Sequence, residues 1–65
     1  MGIRQIALDE LLTSDQVAEY LGLTPNALAI DRHRGRGIPY VRVGSRIRYR
    51  AKDVQGYLDA NTVAG

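Results

Sequence analysis

The first clear segment of the hydrophobic pattern has helical spacing. Its apolar residues, three or four positions apart, are Val17, Ala18 and Leu21. Thr13 fits an N-cap before them, and Gln16 fits its partner in a capping box. Gly22 follows the last apolar residue and belongs to the type that ends helices in a left-handed conformation. We therefore predict a helix over about residues 14–21.

A second helical segment begins almost at once. Thr24 fits an N-cap, and Pro25 fits the first helical position, where its missing N–H costs no hydrogen bond. Gly35 fits the end of this helix. Two short helices joined by residues 22–24 form a helix-turn-helix in outline, although many such corners belong to proteins that do not bind DNA. Leu28 is predicted to face the core.

The third segment alternates between apolar and basic residues. Residues 40–43 and 46–49 read as two strands, and Gly44-Ser45 between them fits a two-residue hairpin turn. The alternation predicts one apolar face, consisting of Val41, Val43, Ile47 and Tyr49. It predicts a second, basic face consisting of Arg42, Arg46, Arg48 and Arg50. The apolar face should pack on the helices, so the hairpin would form a wing.

The C-terminal segment has a clear helical pattern, whereas the N-terminal segment fits more than one structure. Residues of about 51–60 return to helical spacing, and their apolar side consists of Val54, Tyr57 and Leu58. Gly56 weakens this helix by up to about 1 kcal/mol relative to alanine, so either packing compensates or the glycine permits close approach of a neighbour. Residues 1–12 fit either a strand-like arm or a helical turn across the core. We predict a single domain, residues 1–65, with a mainly helical α+β fold of the winged helix-turn-helix type.

Charge is strongly separated along the chain. The formal net charge is +2, yet residues 32–52 hold eight of the nine basic residues and no Asp or Glu. Residues 1–31 hold Arg4 against five carboxylates, and residues 53–65 hold two more carboxylates. A folded block of one sign attracts polyanions such as nucleic acid. The alternative is a solvated basic face without a ligand.

Composition argues against several classes of protein. Without cysteine the chain has neither disulfides nor a cysteine-based zinc site, and its one histidine, His33, has no second histidine to share a metal. No apolar run is long enough to span a membrane, and the N-terminus lacks a signal-peptide layout. We expect a cytoplasmic protein of a bacterial host cell. Because no carboxylate pair, activated nucleophile or phosphate-cradling glycine loop is evident, we expect neither an enzyme nor a cofactor.

Two sequence blocks, VAEYLGL at residues 17–23 and VRVGSRIRYR at residues 41–50, carry a resemblance to a known family. Together with their flanking residues they resemble the MerR-like excisionase family of helix-turn-helix domains over residues 11–59. That family includes phage excisionases and small transcriptional regulators. The resemblance implies a winged fold without catalysis, a recognition helix in the major groove, and a wing against the DNA backbone or in the minor groove.

The excisionase members of that family bind adjacent DNA sites head to tail, bend the DNA and direct an integrase toward prophage excision. The resemblance therefore implies a recombination directionality factor whose partners are double-stranded DNA, further copies of itself and a phage integrase. One alternative is a small transcriptional regulator on the same fold. An alternative of another class is a protein-interaction module whose basic face binds an acidic partner.

The candidate DNA-binding residues fall into two groups. On the second helix they are Thr24, Asn26, Ala27, Ile30, His33 and Arg34. Asn26 suits adenine and Ile30 a thymine methyl group, but Asn26 could instead assist the helix cap and Ile30 could belong to the core. On the wing they are Arg42, Gly44, Ser45, Arg46, Arg48 and Arg50. The alternative for Arg48 or Arg50 is an ion pair with Asp53.

Overall fold

The computed structural model describes residues 10–63. Its elements are β1 (Leu11–Leu12), α1 (Ser14–Leu21), α2 (Pro25–His33), β2 (Val41–Val43), β3 (Arg46–Arg50) and α3 (Ala51–Ala60). The three strands form an antiparallel sheet in the order β1-β3-β2, so β3 lies in the middle. Three helices with this small sheet confirm the predicted mainly helical winged helix-turn-helix.

Both ends of α1 are fixed by local hydrogen bonds. The Gln16 backbone N–H donates to Oγ1 of Thr13 at 3.1 Å, and the Thr13 N–H donates to Oε1 of Gln16 at 2.8 Å. This reciprocal pair is the predicted capping box. At the other end Gly22 adopts φ 71°, and the Leu23 N–H donates to the Ala18 carbonyl at 2.8 Å. The predicted bounds of α1 are confirmed.

The helix α2 follows after a short turn and is capped in a similar way. Oγ1 of Thr24 accepts a hydrogen bond from the Ala27 N–H at 3.1 Å, and Pro25 occupies the first turn. At the C-terminal end Gly35 has φ 69°, and the Arg36 N–H donates to the Asp31 carbonyl at 3.0 Å. This is the Schellman pattern of hydrogen bonds, for which a glycine in the left-handed region is favoured.

The segment before α1 is a strand where the structure describes it. Leu11 is paired with Arg50 and Leu12 with Tyr49, both in antiparallel register. The Ala51 N–H donates to the Glu10 carbonyl at 2.9 Å and extends this contact by one residue. The strand-like interpretation is therefore confirmed for residues 11–12, while residues 1–9 lie outside the described part of the chain.

The register of the hairpin corrects the predicted division of its faces. Its paired residues are Val41 with Arg48, Arg42 with Ile47, and Val43 with Arg46. Residues directly opposite one another in an antiparallel pair project from the same face of the sheet. Across this two-residue turn, each opposite pair consists of one odd-numbered and one even-numbered residue. The odd-numbered residues of β2 therefore lie on the opposite face of the sheet from the odd-numbered residues of β3. The prediction of one wholly apolar and one wholly basic face is wrong.

The two faces of the hairpin are therefore mixed. The face that carries the buried Tyr49 also carries Ile47, which packs against the core, and the exposed Arg42 near the turn. The outer face carries the other hairpin residues, namely Val41, Val43, Arg46, Arg48 and Arg50. Arg42 thus lies on the opposite face from the three arginines of β3.

The core lies between the helices and the sheet. Its buried residues are Leu12, Val17, Ala18, Leu28, Ile38, Tyr49, Ala51 and Val54. Tyr49 is the largest of them and is only 1% exposed. Leu28 faces the core as predicted, and on α3 Val54 is buried while Tyr57 and Leu58 are half-buried.

Two glycines offer a matched test of helix propensity and backbone conformation. Within residues 10–63, no atom lies within 4 Å of a Cβ built on Gly56 in α3 or on Gly44 in the hairpin turn. Gly56→Ala should raise the free energy of unfolding by about 0.5–1 kcal/mol, because alanine is the better helix former. Gly44→Ala should lower it, because Gly44 has φ 63°. Urea unfolding measures both, and a Gly56→Ala variant no more stable than the parent contradicts the helical assignment at that position.

Candidate nucleic-acid interface

Three uncharged residues that were predicted to contact DNA are exposed on α2 or at its N-cap. They are Thr24, Asn26 and Ile30. Oγ1 of Thr24 is held by its capping bond, whereas the exposed Asn26 side chain makes no hydrogen bond with any residue in 10–63. Asn26 therefore does not assist the cap. Ile30 is 40% exposed, so its assignment to the core is also wrong. Ala27, on the same helix, is half-buried.

The C-terminal end of α2 is basic. His33 is the last helical residue, Arg34 follows as the C-cap, and both are exposed. Positive charge is favourable at this end of a helix, where the last carbonyl groups lack partners within the helix. Among the described residues no carboxylate lies within ion-pair distance of Arg34, so its guanidinium is open to an external anion.

The tip of the hairpin is exposed. Arg42 and Arg46 flank the Gly44-Ser45 turn and project from opposite faces. In the part of the chain that the structure describes, neither arginine has a carboxylate or hydrogen-bond partner for its side chain. Two such guanidinium groups on either side of one thin hairpin can reach phosphates on either side of it.

The other two predicted wing arginines are already engaged. Arg48 is half-buried, and its Nη1 donates to the Ile47 carbonyl at 2.8 Å. Nη1 of Arg50 lies 3.7 Å from Oδ2 of Asp53, with the two side chains 48% and 24% exposed. The ion-pair alternative is therefore confirmed for Arg50 and wrong for Arg48. A pair this long and this exposed contributes less than about 1 kcal/mol, so it competes only weakly with a phosphate.

The contacts of Arg32 with two tyrosines were not predicted from the sequence. Its Nη1 donates to Oη of Tyr49 at 2.6 Å, and its guanidinium carbon lies 5.9 Å from the centroid of the Tyr40 ring. A tyrosine on the core face of a strand needs a partner for its hydroxyl group, and a nearby cation is the natural donor. That requirement was the available signal, but only the fold brings α2 and β3 together.

A second unpredicted contact orders the loop after α2. Nε of Arg36 donates to Oδ1 of Asp31 at 3.2 Å across this loop. Gly37 lies beneath the pair with φ 89°, and a Cβ added there would lie 2.9 Å from the Cβ of Asp31. Gly37 is therefore required both by its backbone conformation and by the close approach of Asp31.

The carboxylates of α1, Asp15 and Glu19, are exposed and take no part in the ion pairs found among residues 10–63.

The same described residues contain no cluster of three histidine or acidic side chains that could hold a metal ion. None of their helices has the length and apolarity needed to cross a bilayer.

Comparison with known families agrees with this geometry. A family model described as a helix-turn-helix domain matches residues 11–62. The chain belongs to this family, which includes excisionase-like small DNA-binding domains. Membership indicates DNA binding, and the family is typically non-enzymatic. No curated protein matches the chain.

Proposed function

We propose that the protein binds duplex DNA with α2 in the major groove and the β2–β3 hairpin along the sugar-phosphate backbone. One observation carries this proposal. Three exposed arginines, Arg34, Arg42 and Arg46, have no carboxylate partner within residues 10–63, although the chain carries exposed carboxylates elsewhere. Charge left uncompensated at the end of α2 and at the hairpin tip is available for phosphate groups.

The base-reading role falls to the outward face of α2. The exposed Asn26 amide can donate to N7 and accept from N6 of an adenine, and the exposed Ile30 can pack against a thymine methyl group. Ala27 leaves room for the major-groove edge to approach. Because Thr24 already caps the helix, its hydroxyl contributes to DNA binding mainly by fixing the first turn.

The clamping role falls to the hairpin and the end of α2. Arg42 and Arg46 reach phosphates from the two faces of the hairpin, and the Ser45 hydroxyl can donate to a phosphate between them. His33 and Arg34 reach phosphates at the edge of the groove. Arg48 and Arg50 add to the local field but make weaker direct contacts, because each is engaged within the protein.

Salt dependence tests the clamp. The three arginines without carboxylate partners among the described residues, Arg34, Arg42 and Arg46, predict a log–log slope of association constant against salt concentration of roughly −3, at about −0.9 for each phosphate neutralised. Arg46→Ala should reduce the magnitude of the slope by about 0.9. Arg50→Ala, the comparison variant, should reduce it by less, because Asp53 beside Arg50 already offsets part of its charge. A parent slope shallower than about −2 contradicts the clamp.

Selection from random duplexes tests the division of labour between the two elements. Asn26→Ala and Ile30→Ala should each change the preferred sequence, with losses of about 1–3 kcal/mol at the contacted base for a bidentate pair. Arg46→Ala should weaken binding to all sequences alike, because phosphates carry no sequence information. If Arg46→Ala alters the preferred sequence while Asn26→Ala does not, the two roles are reversed.

We further propose that the protein is an excisionase, an accessory factor that bends DNA and directs a phage integrase toward excision. Its family includes excisionase-like domains. A single module of this fold covers little DNA, so adjacent copies on tandem sites would add affinity and specificity. The exposed Glu19 of one copy can face the basic hairpin of the next, and this head-to-tail contact repeats without closing.

Tandem sites test the excisionase proposal. Affinity per site should rise when two or three sites adjoin, and Glu19→Gln should reduce this gain without lowering single-site affinity. Asp59→Asn on α3, which also neutralises one exposed carboxylate, should leave the gain intact. An isotherm that is the same for one site and for several contradicts the head-to-tail contact.

The integrase partner is tested in cells. A reporter with the attachment sites of the same mobile element and its integrase should excise only when this chain is present. Integrase-dependent excision that proceeds equally without the chain contradicts the excisionase role. Control of a promoter by the chain, in place of excision, would instead identify a transcriptional regulator.

A further inference from the structure

Arg32 lies beside two aromatic rings at the end of α2. Its Nη1 donates to Oη of Tyr49 at 2.6 Å, and its guanidinium carbon is 6.0 Å from the centroid of that ring. The same carbon is 5.9 Å from the ring of Tyr40. The two rings are 6.4 Å apart and inclined at 58°. We refer to these three residues as the Arg32 bridge.

The Arg32 bridge connects the two elements to which DNA binding is assigned. Arg32 is in the last turn of α2, Tyr40 directly precedes β2, and Tyr49 is in β3. Within residues 10–63 the bond from Arg32 to Tyr49 is the sole side-chain hydrogen bond between α2 and the sheet. Since Tyr49 is 1% exposed, the sheet end of the bridge is anchored in the core.

We propose that Arg32 is a positioning residue, which holds α2 at a fixed orientation to the hairpin so that both reach one duplex, and that it does not bind a phosphate. This inference rests on the proposed function. A planar guanidinium can donate a hydrogen bond and stack on rings at the same time, which an ammonium group cannot do equally well. Arg34, two residues later, is exposed and unpaired among the described residues, and it serves as the natural comparison.

A positioning role and a phosphate contact have different signatures. Without the bridge, α2 and the hairpin would sample orientations in which only one of them fits the duplex. Apparent affinity then falls in proportion to the fraction of molecules in the competent orientation. The number of phosphates contacted in the bound state does not change, so the salt slope is preserved. Loss of a phosphate contact instead lowers affinity and slope together.

Paired substitutions at Arg32 and Arg34 distinguish these two roles. If a tenth of the molecules remain competent, Arg32→Met lowers affinity on the order of tenfold with an unchanged salt slope. Arg32→Lys should behave like Arg32→Met, because it keeps the charge but loses the bridge. For Arg34, the methionine variant should reduce the slope by about 0.9, and the lysine variant should stay near the parent.

Tyr49→Phe is a gentler change that keeps the core filled and removes only the accepting hydroxyl. It should lower affinity without changing the slope, and its effect should not add to that of Arg32→Met, because the two substitutions break one contact. Circular dichroism and melting curves establish that each variant is folded. If Arg32→Met does not fold, Tyr49→Phe and Arg32→Lys still decide the question.

A measurement without DNA completes the test. In the free protein, NMR should show ring-current shifts on the Arg32 side-chain protons, and Tyr40→Leu should reduce them. The positioning role is overturned if Arg32→Met reduces the slope as Arg34→Met does, if Arg32→Lys restores parent affinity, or if none of the Arg32 variants changes affinity. A parent without salt-dependent duplex binding overturns the proposed function and this inference together, whatever the NMR spectrum shows.

Discussion

The structure depends on burying one amphipathic ring. Tyr49 lies in the middle strand of the sheet and is 1% exposed, so its hydroxyl group is withdrawn from water. An unpaired buried hydroxyl is costly, and Arg32 supplies the donor from the end of α2. On its other side Tyr49 pairs with Leu12 of β1, which leads directly into the cap of α1. The hairpin, the N-terminal strand and the end of α2 therefore meet at one residue.

The fold divides the basic segment into residues with different uses. Along the sequence its arginines form one basic block without Asp or Glu. In the fold, Arg32 binds Tyr49, Arg36 binds Asp31 and Arg50 binds Asp53. The arginines left without such partners in the described chain stand at the end of α2 and at the hairpin tip. They are Arg34, Arg42 and Arg46.

Features set by neighbouring residues were predictable from the sequence. The capping box of Thr13 and Gln16, the cap at Thr24 and the left-handed Gly22 and Gly35 all depend on groups within a few positions along the chain. Their chemistry is readable without knowing the fold. For the same reason the ends of α1 and α2 were predicted closely.

Features set by pairing across the chain were not predictable in the same way. The hairpin turn was identified correctly, but its faces were assigned by alternation through the turn, and the register reverses that assignment for β2, the strand before the turn. The contact of Arg32 with Tyr49 joins residues 17 positions apart, and it needs the helix to dock before it exists. In the candidate site, the exposure of Ile30 was left open by the pattern because an apolar residue on a short helix fits either the core or an interface. The role of Asn26 was left open because an amide in the first turn of a helix can also assist the cap.

The central claim is that α2 and the hairpin engage one duplex at the same time. The most direct measurement is an NMR titration of the labelled protein with a selected duplex, followed at every backbone amide. The account predicts shift changes that saturate together on α2 and on residues 42–46, with the outer face of α3 around Gln55 and Asp59 little affected. Saturation of the hairpin shifts without any change on α2, or the largest changes on α3, would contradict it.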